Sequence, residues 1–254
     1  MQEIHLVCFS PALSTRKVLR KIGKGTGLIV KEHDITMGIS ETISFGADDP
    51  VFIGIPVYAG RVPALAAEAL SKVKGTQTAA VLVCVYGNRD YDDALLELKD
   101  ISEANGFVPI AAGAFIARHS IFPHIGADRP DEDDEQMLLS FGKECYSKYL
   151  SPGEQKKELK VKGNYPYRNP SKIPFVPKGD SSCDKCGTCV KMCPVHAIPS
   201  GNPRKTNKNL CTSCARCIAV CPQQSRKFGG LLYKLVRRKF EKAYMERKES
   251  DIFI

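Results

Sequence analysis

The chain has 254 residues, 43% hydrophobic and 26% charged, the profile of an ordinary globular protein with room for one or two domains. No apolar run approaches the roughly 18 residues of a membrane-spanning helix. The start, Met1-Gln2-Glu3-Ile4-His5, reads as a strand and not as the basic opening of a signal peptide, so a cytoplasmic protein is expected. The net charge of +9 divides unevenly: residues 1–150 hold 15 basic against 20 acidic residues, and residues 151–254 hold 22 against 8. A nucleic-acid role would require aromatics interleaved with the basic residues, or a binding motif, and neither is present. The basic part points instead to acidic partners, or to negative groups neutralised within the protein.

Residues 1–150 alternate strand and helix signals. Ile4–Phe9 is a short apolar strand, and Ser10–Thr15 turns into a basic helix over Arg16–Lys24. Leu28–Ile35 predicts a second strand, Val51–Val57 a third, and Pro63–Val73 an Ala-rich helix. Ala79–Val85, the fourth strand, is the near-continuous apolar run that a central parallel strand shows. Tyr91–Asn105 predicts an amphipathic helix with Leu95, Leu96, Leu98 and Ile101 on its buried side. Phe107–Ile116 is the fifth strand, and acidic Asp131–Tyr149 the last helix of this part. Parallel neighbours require crossovers, so five strands with helices between them predict a doubly wound parallel sheet.

Regularity ends at Ser151-Pro152-Gly153. Residues 151–180 carry prolines at 152, 166, 170, 174 and 177, and Tyr165–Pro170 cannot be helical, so this stretch reads as a linker partly docked on its neighbours. Two cysteine runs follow. Cys183, Cys186, Cys189 and Cys193 precede Pro194, and Cys211, Cys214, Cys217 and Cys221 precede Pro222, each run reading C-x2-C-x2-C-x3-C-P. A zinc site would pair one C-x2-C with another or with two histidines, and His196 is the competing ligand here. A disulfide framework suits a short secreted chain, not one long enough to bury a core unaided.

This spacing is similar to the ligand run of bacterial two-cluster ferredoxins, where three cysteines of a run hold one 4Fe–4S cluster and the fourth reaches the other. The resemblance implies Cys183, Cys186, Cys189 and Cys221 on one cluster, and Cys211, Cys214, Cys217 and Cys193 on the second. A small α+β domain over residues 181–228 would carry both. Cys8, Cys84 and Cys145 stand singly in apolar or amphipathic stretches and are expected to be inert. The remainder, 229–254, predicts a basic amphipathic helix over Gly229–Glu249. Leu231, Leu232, Leu235, Val236, Phe240 and Tyr244 form its apolar side, against nine Lys or Arg between 226 and 248. That side is expected to pack on the protein; contact with a membrane surface is the less favoured reading.

In an open α/β sheet, ligands bind at the carboxyl ends of the strands where strand order reverses. Three loops leave such ends, and each suits flavin mononucleotide (FMN). Ser10-Pro11-Ala12-Leu13-Ser14-Thr15 is hydroxyl-rich and opens a helix whose free N–H groups favour a phosphate, with Ser10, Ser14 and Thr15 as further donors. Pro56-Val57-Tyr58-Ala59-Gly60-Arg61 offers an aromatic to stack on the isoalloxazine, and a glycine for close backbone approach. Tyr86-Gly87-Asn88-Arg89-Asp90-Tyr91 adds two aromatics and a tight turn.

On these loops and the two cysteine runs, the whole chain resembles the flavodoxin–ferredoxin fusion proteins of anaerobic bacteria and archaea. The resemblance implies a flavodoxin-like domain over 1–150, strand order 2-1-3-4-5, FMN, two 4Fe–4S clusters and electron-transfer duty. The phosphate loop departs from the family's Ser/Thr-x-Thr-Gly-x-Thr: a hydroxyl is lost at Ala12 and a glycine at Leu13, whose Cβ disfavours positive φ. His119-Ser120 after strand five is similar to a His-Ser pair in related fusions and is expected near the flavin. The leading expectation is a cytoplasmic electron-transfer flavoprotein serving a redox partner protein, in which no side chain acts as an acid or base. A flavin-dependent reductase of a small molecule, with His119 or Arg61 as substrate contacts, is the second reading, and a redox or oxygen sensor the third.

Overall fold

The computed structural model describes residues 3–151, 153, 158–171 and 173–254. Met1 and Gln2 of the expected opening strand, and Pro152 of the expected linker, lie outside the described residues. Strands β1 (Glu3–Cys8), β2 (Ile29–Asp34), β4 (Val51–Pro56), β6 (Thr78–Tyr86) and β7 (Phe107–Ile116) form one parallel sheet in the order β2-β1-β4-β6-β7. This is second-first-third-fourth-fifth, the order expected. The central strands β4 and β6 are buried at every position because helices cover both faces. Alternation along each strand splits the core in two. Leu6, Phe52, Val81 and Val83 pack under helices α1 (Ser14–Gly25) and α4 (Glu132–Tyr149). Val7, Ile53, Leu82 and Cys84 pack under α2 (Ala64–Leu70) and α3 (Ala94–Ala104). Helices α1 and α4 touch backbone to backbone: a Cβ at Gly142 would lie 2.0 Å from the Ile22 carbonyl.

Several bounds differ from the sequence expectation, for tertiary reasons. The second helix stops at Leu70, and Val73 belongs to a short strand β5 (Val73–Gly75) paired with β3 (Ile43–Phe45), neither of which the sequence pattern revealed. Tyr91 does not open α3. Its ring is buried beside Tyr86 and its hydroxyl donates to Asp251, so the helix begins at Ala94. Asp131 is the N-cap of α4, exchanging hydrogen bonds with Asp134 in a capping box.

The segment with the two cysteine runs holds a two-residue ladder, β8 (Lys178–Gly179) against β9 (Arg226–Lys227), and two four-residue helices, α5 (Thr188–Lys191) and α6 (Arg216–Ala219). The expected helix over Gly229–Glu249 is shorter: α7 spans Leu231–Tyr244. Its apolar side also differs from the expectation. Tyr233, Val236, Phe240 and Tyr244 pack inward, while Leu231, Leu232 and Leu235 face solvent. The chain then returns to the first domain, where β10 (Asp251–Phe253) pairs antiparallel with β7 as a sixth strand. The tail is pinned on its way. Buried Asn88, held at φ 63, donates to the carbonyls of Tyr244 (2.8 Å) and Glu246 (2.7 Å) and accepts from Lys248 N–H (3.3 Å). Arg129 donates to the Lys248 carbonyl at 3.0 Å. Residues 158–171 are tied down as well: Leu159 enters the core, and Asp93 accepts from the N–H groups of Asn164 (2.9 Å) and Arg168 (2.7 Å). Among the described residues, no helix is long and apolar enough to cross a membrane.

Asn88→Ala removes three hydrogen bonds and puts a Cβ-only residue at positive φ. It should destabilise the protein by about 2–4 kcal/mol. Chemical denaturation measures the loss, and hydrogen exchange at residues 251–253 should accelerate before that of β6.

Candidate functional site: two cysteine runs docked on the carboxyl end of the sheet

The two runs repeat in conformation as well as in sequence. Positive φ recurs at matched positions: Lys185 (63°) and Ser213 (57°), Gly187 (79°) and Ala215 (61°), His196 (50°) and Gln224 (49°). Left-handed residues turn consecutive N–H groups inward, and such concavities receive negative groups. His196 therefore occupies a backbone corner that Gln224 reproduces, and its side chain is exposed.

Electrostatic proximity groups the sulfurs across the runs. Cys221 and Cys183 act on the Cys189 thiol, whereas Cys193 and Cys211 act on that of Cys214. Among the described residues, no three His, Cys, Asp or Glu side chains converge as ligands of a single ion. A cubane, which spreads its thiolates over the corners of a cube, makes no such demand. Cys189, Cys193, Cys214 and Cys217 are buried, while Cys186 is exposed. Cys8, Cys84 and Cys145 are buried elsewhere, and burial pushes each of these thiols above its ordinary value.

Arg226 sits between the runs and is 1% exposed. Its guanidinium donates to the carbonyls of Pro177 (2.9 Å) and Pro203 and to the Thr206 hydroxyl, and lies 4.0 Å from Cys189 Sγ. No carboxylate pairs with it among the described residues. Burial pushes the Cys217 thiol up to about 11, and the Arg226 charge pulls it back. The same cation acts on Cys189 and Cys211.

The loop expected to hold a phosphate makes the left-handed turn that the Cβ of Leu13 disfavours. Leu13 takes φ 67 as the N-cap of α1, so the left-handed turn is made without glycine, at a cost of about 1–2 kcal/mol. Ser10 Oγ accepts from Arg16 N–H at 3.0 Å, leaving its proton to donate. Thr15 Oγ1, fully buried in the first turn, has no partner. That orphaned hydroxyl, with the N–H groups of Ser14 and Thr15, is a donor set suited to a phosphate. In the second loop Ala59 and Gly60 both have positive φ (51° and 81°), and Tyr58 and Arg61 exchange backbone hydrogen bonds. A Cβ at Gly60 would collide with Asp92.

The structure brings Ala12, Ser14, Pro56, Val57, Tyr58, Tyr86 and Gly87 around one cleft, joined by Arg118, His119 and Ser120. The cleft adjoins a cavity of about 520 Å³ reaching α6 and α7, within the range of cofactor pockets. Two expected contacts are corrected. Asn88 is committed to the tail, and Tyr91, 1% exposed, presents no ring face for stacking. Arg61, expected as a substrate contact in the reductase reading, is locked by Glu97 (2.7 Å), the Arg168 carbonyl (2.7 Å) and the Tyr167 ring. His119 does line the cleft. Its Nδ1 accepts from Ile121 and Phe122 N–H, both at 3.1 Å, which leaves the proton on Nε2. Burial, with Arg89 beside it, lowers its pKa to about 4, so the ring is neutral at pH 7.

The cysteine module docks directly on this end of the sheet. Tyr58 Oη donates to the Cys214 carbonyl at 3.4 Å, and Arg216 Nη1 to the Ser10 carbonyl at 3.4 Å. Phe122, in the loop after β7, packs on Phe240 (4.8 Å), Tyr233 (5.7 Å) and Phe175 (6.1 Å). Arg216 and Arg226 escaped the sequence reading. The available signal was the asymmetry of the repeat, which has Thr188 where the second run has Arg216.

Residues 182–225 match the family model of a 4Fe-4S dicluster domain. No functionally curated protein matches the chain. The N-terminal part is similar to solved flavodoxins. One is a short-chain flavodoxin associated with a non-canonical PDU bacterial microcompartment, with 17% identity over 58% of this chain and 98% of that one and a TM-score of 0.43. Another is a Streptococcus pneumoniae flavodoxin, with 13% identity, 58% and 98% coverage and a TM-score of 0.39. A third is Fusobacterium nucleatum flavodoxin bound to flavin mononucleotide, with 11% identity, 60% and 99% coverage and a TM-score of 0.38. By its strand order and its matched cysteine segment, this chain joins a flavodoxin-like α/β domain to a 4Fe–4S dicluster domain.

Proposed function

We propose that the protein is a cytoplasmic electron-transfer iron–sulfur flavoprotein, passing electrons between an external redox protein, two 4Fe–4S clusters and FMN. The contact between Tyr58 and the Cys214 carbonyl carries this reading, because it joins the expected flavin-stacking side chain to an expected cluster ligand. A flavin exchanges electrons in pairs or singly, and each cluster carries one, so a chain holding both can divide an electron pair. The protein's residues supply position and potential. Tyr58 and the Phe122 aromatic group hold the cluster of Cys211, Cys214, Cys217 and Cys193 against the flavin cleft and exclude water there. Exposed Cys186 puts the other cluster at the surface, where the basic balance of residues 151–254 suits an acidic partner. Arg226, a buried cation acting on thiols of both runs, stabilises the more negative reduced clusters and so raises their potentials relative to a neutral site.

Fully loaded protein should contain about eight irons, about eight acid-labile sulfides and about one FMN per chain; stoichiometric zinc without sulfide overturns the cluster assignment. Cys193→Ala should damage the cluster held mainly by the second run, and Cys221→Ala that of the first. Paramagnetic resonance of the reduced variants separates the two, and damage confined to each mutated run would reject crossed ligation. Arg226→Lys should keep both cluster potentials near wild type, whereas Arg226→Met should lower both in a redox titration at unchanged iron content. Unmoved potentials in the Met variant would remove Arg226 from potential setting.

A further inference from the structure

Two arginines of the dicluster domain are buried without a carboxylate partner among the described residues, and their surroundings differ. Arg226 faces the thiols. Arg216, 5% exposed, touches Cys214 through its backbone N–H, but its side chain crosses the domain boundary to the Ser10 carbonyl. Its Nε has no hydrogen-bond partner among the described residues. A buried guanidinium with one long hydrogen bond and no counter-charge is costly unless an anion completes it.

The loop it reaches, residues 10–15, carries no charged side chain and few free donors, and Arg118 across the cleft turns to the Pro123 carbonyl at 2.9 Å. Pro11 has no N–H, Ala12 has no hydroxyl, and Leu13 N–H is taken by the Ser10 carbonyl at 3.2 Å. The cations of α1 lie beyond the loop and turn to two shared carboxylates: Arg16 and Arg20 meet Glu32, and Lys17 and Lys21 meet Glu135. What remains is the Thr15 hydroxyl, unpartnered among the described residues, the Ser14 hydroxyl, and the N–H groups of Ser14 and Thr15, since those of Arg16 and Lys17 go to Ser10 Oγ and the Leu13 carbonyl. A phosphate monoester bears close to two negative charges at neutral pH, and this loop alone offers it only dipoles. The first cysteine run has Thr188 at the position of Arg216.

We propose that Arg216 is the counter-ion of the flavin phosphate, so that the flavodoxin-like domain supplies the hydrogen-bond cradle and the dicluster domain supplies the charge. The proposal rests on the FMN reading above. FMN bound this way is held by both domains at once, and its phosphate, which riboflavin lacks, reports whether they are docked. A guanidinium fork matches a phosphate better than an ammonium does.

The test is an anaerobic titration of flavin-depleted, full-length protein with FMN and with riboflavin, read by quenching of flavin fluorescence, with iron and labile sulfide assayed on every sample. Arg216→Gln should weaken FMN by about tenfold or more and leave riboflavin unchanged. If Arg216→Gln fails to assemble its clusters, Arg216→Lys decides instead, with FMN expected to weaken about threefold and riboflavin again unmoved. Equal weakening of both flavins would make Arg216 a structural tie, and unchanged FMN affinity would make it a bystander; either result overturns the proposal. Riboflavin with saturating inorganic phosphate should not reach the FMN affinity; if it does, the loop is a site for free phosphate and the proposal falls. Wild-type protein that binds neither flavin overturns the FMN reading itself, an outcome distinct from all of these.

Discussion

The arrangement of the two halves depends on the return of the chain to its first domain. The dicluster module is not a tail on a tether; it lies between α4 and β10, two elements of the same α/β unit. With both ends fixed on one sheet, its freedom to rotate or swing is largely removed before any side chain makes contact. Asn88 strengthens that closure. It spends its amide on three backbone groups of the returning segment, in a left-handed conformation that asparagine tolerates better than most residues do. The aromatic contacts of Phe122 and the hydrogen bond of Tyr58 are then made between surfaces already held in register.

That closure decides where the chemistry can occur. The loops after β1, β4, β6 and β7 gather at one end of the sheet because parallel strands present all their carboxyl ends together. The second cysteine run covers that end; the first is turned toward solvent at Cys186. Arg216 and Arg226 are each buried without a carboxylate partner among the described residues, one reaching the loop of Ser10 and one the thiols. Placing fixed cations in a dry interior costs solvation energy, and the arrangement persists only where something negative answers them.

Strands and helices of the α/β unit were legible in the sequence because their cores are continuous apolar runs: β7 spans the expected Phe107–Ile116. The cysteine spacing was legible because it is a chemical requirement and not a propensity. Less visible were contacts that exist only after folding. Three residues, Asp251–Phe253, become a strand because β7 offers an open edge, and no local pattern signals that. Asn88 and Tyr91 lie in a loop that looked wholly devoted to a ligand, yet their side chains serve the tail. Leu13 runs the other way. A Cβ at that position argued against the turn, and the turn forms regardless, because the surrounding helix start and strand end fix the backbone.

The sixth strand also has a consequence for the history of the molecule. The edge of β7 that it covers contains Ala112, Gly113 and Ala114, small and uncharged residues with none of the lysines or prolines that keep bare edges apart. The strand that shields this edge lies beyond the dicluster domain in the chain. A growing polypeptide therefore reaches residues 251–253 only after its α/β unit and both cysteine runs have been made. Until then the ladder groups of β7 are open to a neighbouring chain, and the position of the closing strand at the far end of the chain sets how long that edge stays bare.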